Sequence, residues 1–332
     1  MQGLGLALTG SGSSGASAHP AQVVCTLAER DYFCGAAALV NSLARAGFEG
    51  TVVIGCRGAP PDWLGALARD PASDAYVVTP AVRLRLIEVG GGWHLNNCKP
   101  GFIEDVLFTH YPASELVYYF DTDIVITHAW STFARWAEGG VVLVLDPADT
   151  YMSPHHVYRR GWRELAARQG RTCRDVTGYV NGGCVGLARP YAGFAAVWRS
   201  LMQELERDGA DMRKMKNATG KLEFLRMDQD VLNAALMAAD VPLSLLGPEA
   251  MSLFPWAGEV MPHAMWQMKP WKRNYVFDAL RGFPPDRAHR AYWEYADQPI
   301  RIFSDAELRR KRLTLALGKA IGYLHSRSLR DL

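Results

Sequence analysis

The chain has 332 residues, of which 49% are hydrophobic and 21% charged, so it is long and apolar enough to bury a substantial core. Its formal net charge of +2 argues against a nucleic-acid binder, because such a protein carries a basic surplus that neutralises many phosphates. No apolar run approaches the roughly 20 residues that a membrane-spanning helix needs.

The cysteine spacing indicates the redox environment. The cysteines form neither a CxxC pair nor a zinc-finger spacing, which predicts reduced thiols in a cytoplasmic protein and argues against a structural zinc site. They are Cys25, Cys34, Cys56, Cys98, Cys173 and Cys184.

The sequence divides into three parts. Residues 1–20 join a mildly apolar start to a Gly/Ser run, so we predict a disordered leader or artificial extension outside the fold. A signal peptide is the alternative, but this segment lacks an initial Lys or Arg and its apolar run is short. We expect residues 21–280 to form the main domain and residues 281–332 a helical extension.

Apolar runs that suit buried strands alternate with segments whose apolar residues recur at helical spacing. This alternation predicts an α/β fold with a mostly parallel central sheet flanked by helices. The predicted strands are 23–27, 51–55, 76–78, 83–87, 116–120, 141–145 and 184–187, and the predicted helices are 35–43, 63–68, 102–110, 191–205 and 231–239. The polar segment 146–180 is predicted to be a long loop that covers a site.

An Asp-Thr-Asp triplet follows the strand predicted at 116–120. Ligands of open α/β sheets bind beyond the carboxyl ends of strands, which is where Asp121 and Asp123 lie. One carboxylate can hold Mg²⁺ or Mn²⁺, while the other meets the ion through water or contacts a donor sugar. Such an ion would bridge a nucleotide diphosphate and neutralise its charge as it leaves. The alternative is a pair of acids that caps a turn, because the pattern is short and common.

Further segments accompany the triplet in chain order. They are Thr26-Leu27, Asp31-Tyr32, Gly35-Ala36, Leu39, Ser42-Leu43, Asn181-Gly182-Gly183, Asp228-Gln229-Asp230-Val231-Leu232-Asn233, His263 and Lys269-Pro270-Trp271. With Phe120-Asp121-Thr122-Asp123 they resemble the motifs of glycosyltransferase family 8, the group that contains glycogenin and bacterial lipopolysaccharide galactosyltransferases. The resemblance covers residues 21–271, about three-quarters of the chain.

The resemblance implies a GT-A fold for residues 21–280, a UDP-sugar donor, Mn²⁺ or Mg²⁺, and hexose transfer to a carbohydrate or lipid-linked acceptor with retention of configuration. It assigns Asp121, Asp123 and His263 to the metal. The nucleotide sugar would be bound by Thr26, Leu27, Tyr32, Lys99, Asp121, Thr122 and Lys269. Two of these assignments also have a physical reason. The nitrogen of His263 can complete a metal shell, and Lys269 can reach a diphosphate as a point charge.

The reacting sugar is assigned to three residues by the same resemblance. Gln229 would steady positive charge at the anomeric carbon in a front-face reaction, while Asp228 and Asn181 would hold sugar hydroxyls. Two alternatives for Asp228 are a covalent nucleophile and a helix N-cap ahead of Val231.

Two features depart from the family pattern. The basic residue expected before the triplet is assigned to Lys99, but the stretch that follows it is long, and Arg83 and Arg85 are rivals. Met265-Trp266 replaces the small Gly expected between His263 and Lys269, which would narrow the space beside the diphosphate or move the loop.

Candidates for the acceptor lie in two groups, for which core packing or simple solvation is the alternative. Aromatic rings can pack on sugar faces, and polar residues of segment 146–180 could cover an acceptor. The candidates are Phe254, Trp256, Trp266 and Trp271, and Asp149, Tyr151, His155 and His156.

The sequence ends in a basic amphipathic helix that begins near Ser304, with Glu307 at the spacing of a capping box. Three interpretations are open: packing on the main domain, peripheral docking of a cytoplasmic protein on an anionic membrane, and binding of a partner helix. The apolar stripe is Leu313, Leu317, Ile321 and Leu324, flanked by Arg309, Arg310, Lys311, Arg312 and Lys319.

Two other functions compete with transfer. A sugar-nucleotide pyrophosphorylase shares the architecture, but it opens with a Gly-rich loop that Glu29-Arg30-Asp31-Tyr32 does not match. A catalytically silent nucleotide-sugar-binding protein is the second alternative, and the intact acidic, amide and basic residues above argue against it.

Overall fold

The computed structural model describes residues 22–147, 150–216, 227–253, 260–265 and 268–328, without the side chains of residues 325–328. A single sheet organises this part of the chain, with the strand order β3-β4-β5-β2-β1-β6-β8-β7-β9. The strands are β1 (Gln22–Glu29), β2 (Gly50–Arg57), β3 (Ala68–Arg69), β4 (Tyr76–Val77), β5 (Val82–Glu88), β6 (Leu116–Phe120), β7 (Val141–Leu145), β8 (Val180–Ala188) and β9 (Leu243–Leu246).

The centre of the sheet is parallel. Strands β5, β2, β1 and β6 pair in parallel, whereas β8 runs antiparallel to both β6 and β7. The edge strand β9 pairs in parallel with β7, and β3 and β4 add antiparallel pairs at the other edge. The α/β class is therefore confirmed, with antiparallel strands added around a parallel centre.

Helices cover both faces of the sheet. Helices α2, α4, α5 and α6 pack on one face, and α1 and α3 on the other. Each face of the sheet has its own hydrophobic core. Along β6, Val117 and Tyr119 point into the core beneath α2, α4, α5 and α6, while Tyr118 and Phe120 point into the core beneath α1 and α3. Burial on both faces explains why the sequence of this strand is continuously apolar. The helices are α1 (Phe33–Arg45), α2 (Lys99–Asp105), α3 (Trp130–Glu138), α4 (Val157–Ala167), α5 (Gly193–Arg207), α6 (Met227–Ala238), α7 (Tyr275–Leu280), α8 (Arg287–Glu294) and α9 (Asp305–Ser328).

Several local predictions were wrong. Segment 146–180 contains α4, whose Trp162 and Leu165 are buried, so it is not one long loop. The helix predicted at 63–68 is a short 3-10 helix, Asp62–Ala66, and the one predicted at 102–110 begins at Lys99 and continues as a π-helix, Val106–His110. Strand β9 was not predicted, because a four-residue edge strand carries too little pattern.

The C-terminal residues pack against α1 and α7. Asn41 donates to Tyr295 O and Ile300 O, both at 2.8 Å, and accepts from Ile300 N at 2.7 Å. The capping box is confirmed, since Glu307 Oε2 accepts from Ser304 N at 2.9 Å. Within the part of the chain that the structure describes, each helix is too short or too polar to span a lipid bilayer.

Candidate functional site

The Asp-Thr-Asp triplet forms a turn at the end of β6. Asp121 donates its backbone N–H to Gly183 O at 2.9 Å, which fixes the triplet against β8. Ile124 N then donates to Asp121 O at 3.1 Å and closes the turn. Both acidic side chains are thus placed at the carboxyl edge of the parallel strands, as predicted.

A distant segment brings His263 to this turn. Ile124 and His263 form an isolated antiparallel bridge, and Ala264 N donates to Asp123 O at 2.9 Å. His263 Nε2 lies 3.2 Å from Asp123 Oδ1 and 4.0 Å from Asp121 Oδ2. One ligand atom from each of the three residues lies within 4.8 Å of the others. The predicted metal residues therefore form one cluster of oxygen and nitrogen donors.

Lys269 completes this cluster with a positive charge. Its Nζ donates to Asp123 Oδ2 and, at 3.1 Å, to Ala264 O. Burial alone would raise the pKa of the Asp123 carboxyl, but the His263 and Lys269 charges outweigh it and hold that pKa well below its usual range. Asp123 is therefore a buried anion held between two nitrogen groups.

Lys99 lies at the same site, whereas Arg83 and Arg85, the other candidates for the basic residue before the triplet, do not. Its Nζ contacts Asp121 Oδ1 at 3.0 Å and Asp228 Oδ2 at 2.9 Å, and donates to Gly182 O at 3.1 Å. Burial disfavours the charged ammonium, but the two carboxylates outweigh it and raise the pKa of Lys99 above its usual value. Arg83 and Arg85 instead pair with Asp70 and Asp74, which lie between β3 and β4 at one edge of the sheet.

Asn181 and Gln229 meet at a buried carboxylate that the sequence reasoning missed. Asp146 Oδ2 accepts from Asn181 Nδ2 at 3.0 Å and from Gln229 Nε2 at 3.2 Å. Gln229 Oε1 accepts from Gly182 N at 3.1 Å, so both ends of its amide are held. The missed signal was position, because Asp146 directly follows the apolar strand β7 just as Asp121 follows β6.

The predicted nucleoside residues have different environments. Thr26 and Leu27 are buried in β1, and Thr26 Oγ1 has no hydrogen-bond partner within the described chain. Tyr32 is 37% exposed and packs edge-on against Trp271 at 5.8 Å between ring centroids. Thr122 is buried, and its carbonyl oxygen lies so close to Gly35 that a Cβ there would be 2.3 Å away.

Only some acceptor candidates can be placed. Tyr151 is 71% exposed, and His156 Nδ1 accepts from Tyr158 N, so that ring caps α4. Trp271 is buried and donates to Asp31 Oδ2 at 2.6 Å, which indicates a structural contact. Asp149, Phe254, Trp256 and Trp266 lie outside the described residues.

Adjacent glycines provide a test of the cluster. A Cβ on Gly183 would lie 2.7 Å from His263 Cε1, whereas a Cβ on Gly182 would meet Asp228 and Gln229 at ordinary contact distances of 3.5 Å. We expect Gly183→Ala to displace the imidazole and to weaken Mn²⁺ binding about tenfold or more. Gly182→Ala is the matched control. Equal Mn²⁺ affinity of the two variants, measured by calorimetry, would contradict the placement of His263.

Tyr119 supports one oxygen of Asp121. Its hydroxyl donates to Asp121 Oδ1 at 2.9 Å. Removing a hydrogen bond to a ligand carboxylate commonly weakens metal binding tenfold or more, so we expect Tyr119→Phe to raise the half-saturating Mn²⁺ concentration about tenfold. Tyr118→Phe is the matched control, because that buried hydroxyl donates to Phe133 O at 2.7 Å on the other face of the sheet. Mn²⁺ titrations that coincide for the two variants would show that Tyr119 is not a positioning residue.

Comparison with known proteins identifies the fold. No protein-family model matches the sequence, and no curated protein matches it. Among solved structures, the bifunctional glycosyltransferase WbbM has a TM-score of 0.52 at 15% identity, with 88% of this chain and 52% of that chain covered. The glycosyltransferase GlyE of Streptococcus pneumoniae has a TM-score of 0.50 at 13% identity, with 90% and 64% covered.

A third structure matches over nearly its whole length. The galactosyltransferase LgtC, solved with donor and acceptor sugar analogues, has a TM-score of 0.53 at 13% identity, with 87% of this chain and 99% of that chain covered. By contrast, this chain spans about half of WbbM and less than two thirds of GlyE. The sheet and its flanking helices are those of the GT-A glycosyltransferase fold.

Proposed function

We propose that this chain is a retaining glycosyltransferase of the family 8 type, which moves a hexose from a UDP-sugar to a hydroxyl of a glycan, lipid-linked glycan or other acceptor. The observation that carries the proposal is the cluster of Asp121, Asp123 and His263 at the ligand-binding edge of a GT-A sheet. Lys99 and Lys269 surround this cluster with the positive charge that a diphosphate requires.

The cluster suits a divalent cation. The two carboxylates suit both Mn²⁺ and Mg²⁺, because both ions favour oxygen ligands. The imidazole adds a nitrogen ligand, which suits Mn²⁺ better than Mg²⁺. His263 Nε2 faces the two carboxylates, and Nδ1 is buried without a partner in the described chain, so the side-chain contacts of this ring lie within the cluster. A bound ion would neutralise charge on the diphosphate as the sugar leaves.

The donor would lie along the edge of β1 and β6. Thr26, Leu27 and Tyr32 are proposed to contact the nucleoside, and Thr122 to line the same wall. Lys269 now pairs with Asp123, and we propose that it turns towards the diphosphate when the donor binds. Its burial supports this role, because a charge in a low-dielectric site acts strongly on a nearby phosphate.

The sugar would lie over Asn181, Asp228 and Gln229. The acceptor oxygen bonds to the anomeric carbon as the carbon–oxygen bond to the diphosphate breaks, and the acceptor proton passes to the leaving phosphate. Gln229 is held at both ends of its amide, which suits a group that steadies developing positive charge. Asp228 contacts Lys99 through Oδ2, and we propose that its carboxyl group accepts a hydrogen bond from a sugar hydroxyl.

A donor panel tests the proposal against its alternatives. The protein is incubated with different UDP-sugars in Mn²⁺ or in EDTA, and released UDP is measured. We expect metal-dependent UDP release from one preferred donor. Formation of UTP from a UDP-sugar and pyrophosphate would instead indicate a pyrophosphorylase. Tight donor binding without UDP release, also with a mixture of glycan acceptors, would indicate a silent binding protein.

A further inference from the structure

Helix α9 contacts the domain through a face that contains two glycines. A Cβ on Gly318 would lie 2.6 Å from Tyr275 O of α7, and a Cβ on Gly322 would lie 2.4 Å from Pro284 Cβ. Lys311, on the same side, donates to Arg273 O at 2.8 Å. Because glycine has no side chain, α9 can approach the domain closely at Gly318 and Gly322. These two glycines therefore determine which side of the helix faces the domain.

The predicted apolar stripe therefore does not make the contact. Leu313, Leu317 and Leu324 lie roughly opposite the two glycines at about 100° per residue, and they are 62%, 48% and 64% exposed. Of the three interpretations, packing on the main domain is therefore confirmed for α9, but the glycine face makes the contact, and Ile321 is the member of the stripe that is partly buried.

Other exposed apolar side chains belong to α7 and to the turn that follows it. Phe277 and Leu280 of α7 are 54% and 59% exposed, and Phe283 of the following turn is 65% exposed. Half of the large apolar side chains that are exposed in the described part of the chain belong to α7, this turn and α9. Leu313, Leu317 and Leu324 follow one another along one side of α9, and an exposed apolar stripe of this kind marks a binding surface.

The charges around this surface favour one partner. Exposed basic side chains lie on α9 at Arg309, Arg310 and Lys319, while Arg312 pairs with Asp297 at 2.8 Å. Arg309 and Arg310 are exposed and lie on the same side of α9 as Leu313. Apolar side chains bordered by cations match the interface of an anionic bilayer, where acyl chains lie beneath phosphates. A second copy of the chain would bring like charges together and is disfavoured.

We propose that α9 docks on an anionic lipid surface, with the Leu313, Leu317 and Leu324 side chains entering the interface. Docking needs neither donor nor cation, so it goes beyond the proposed transfer and can be tested without it.

Vesicle sedimentation tests the docking surface. The full chain is mixed with vesicles of phosphatidylcholine alone, or with part of it replaced by phosphatidylglycerol, at low and high salt. We expect binding to the anionic vesicles only, and its loss at high salt. Replacing both Arg309 and Arg310 by Ala should weaken binding about 30-fold. Leu313→Ser with Leu317→Ser should weaken it at least about tenfold.

The matched control removes two exposed cations from another surface, Arg160→Ala with Lys216→Ala. It should bind like the unaltered protein. The proposal is wrong if the unaltered protein fails to bind anionic vesicles, or if the control weakens binding as much as the arginine pair does. It is also wrong if gel filtration shows a dimer that the leucine changes dissociate while vesicle binding is unchanged.

Discussion

Replacing Asp123 by asparagine is expected to lower Mn²⁺-dependent release of UDP from the preferred UDP-sugar by about 1,000-fold. One carboxylate oxygen faces His263 and the other faces Lys269, so the amide keeps the shape but removes the negative charge that the proposed cation needs. The measurement is the initial rate of UDP formation at saturating Mn²⁺, after subtraction of the rate in EDTA.

Asp74→Asn is the matched control for this substitution. Asp74 is exposed and pairs with Arg69 at 3.1 Å, away from the site, so its rate should stay within about twofold of the unaltered protein because exposed ion pairs contribute little. If Asp123→Asn kept more than about a tenth of the metal-dependent rate, the cation would not bind where the cluster predicts.

Lys99→Met is expected to lower the free energy of unfolding by about 3–5 kcal/mol and to abolish transfer. The ammonium is 2% exposed and lies between the carboxylates of Asp121 and Asp228. Methionine fills a similar volume, but it leaves the buried Asp228 and the partly exposed Asp121 close together without their shared cation. Urea denaturation followed by tryptophan fluorescence measures the change.

Lys272→Met is the matched control for this stability change. Lys272 also contacts a carboxylate, Asp31 at 2.8 Å, but its side chain is 53% exposed, so the expected loss is below about 1 kcal/mol. If the two lysine variants lost the same free energy of unfolding, the contacts of Lys99 with Asp121 and Asp228 would not stabilise the protein as their geometry implies.

The sequence was sufficient for the centre of the fold. Strands β1, β2 and β6 are apolar runs buried on both faces, and such runs can be recognised without tertiary information. The antiparallel direction of β8 could not be predicted from the sequence, because a buried apolar strand has the same pattern whether it pairs in parallel or antiparallel. Helix α4 was missed because the polar exposed residues of α4 obscure its buried side.

The site was predicted in part for similar reasons. The motifs indicated Asp121, Asp123 and His263, which the structure brings together. Their roles with metal and donor stay predictions. Asp146 carried no motif, and only the fold shows that it shares hydrogen bonds with Asn181 and Gln229. The outward orientation of the stripe on α9 depended on glycines whose contacts are tertiary.

The central claim is that the acidic and histidine cluster is where a divalent cation and a uridine nucleotide meet. Calorimetric titration of UDP in Mn²⁺ and in EDTA tests it most directly, since two ligands that meet at one site strengthen each other's binding. We predict that Mn²⁺ tightens UDP binding by about 5-fold to 150-fold and that His263→Gln removes most of this gain. UDP binding that is equal in Mn²⁺ and EDTA, or a gain that survives His263→Gln and Asp123→Asn, would contradict the account.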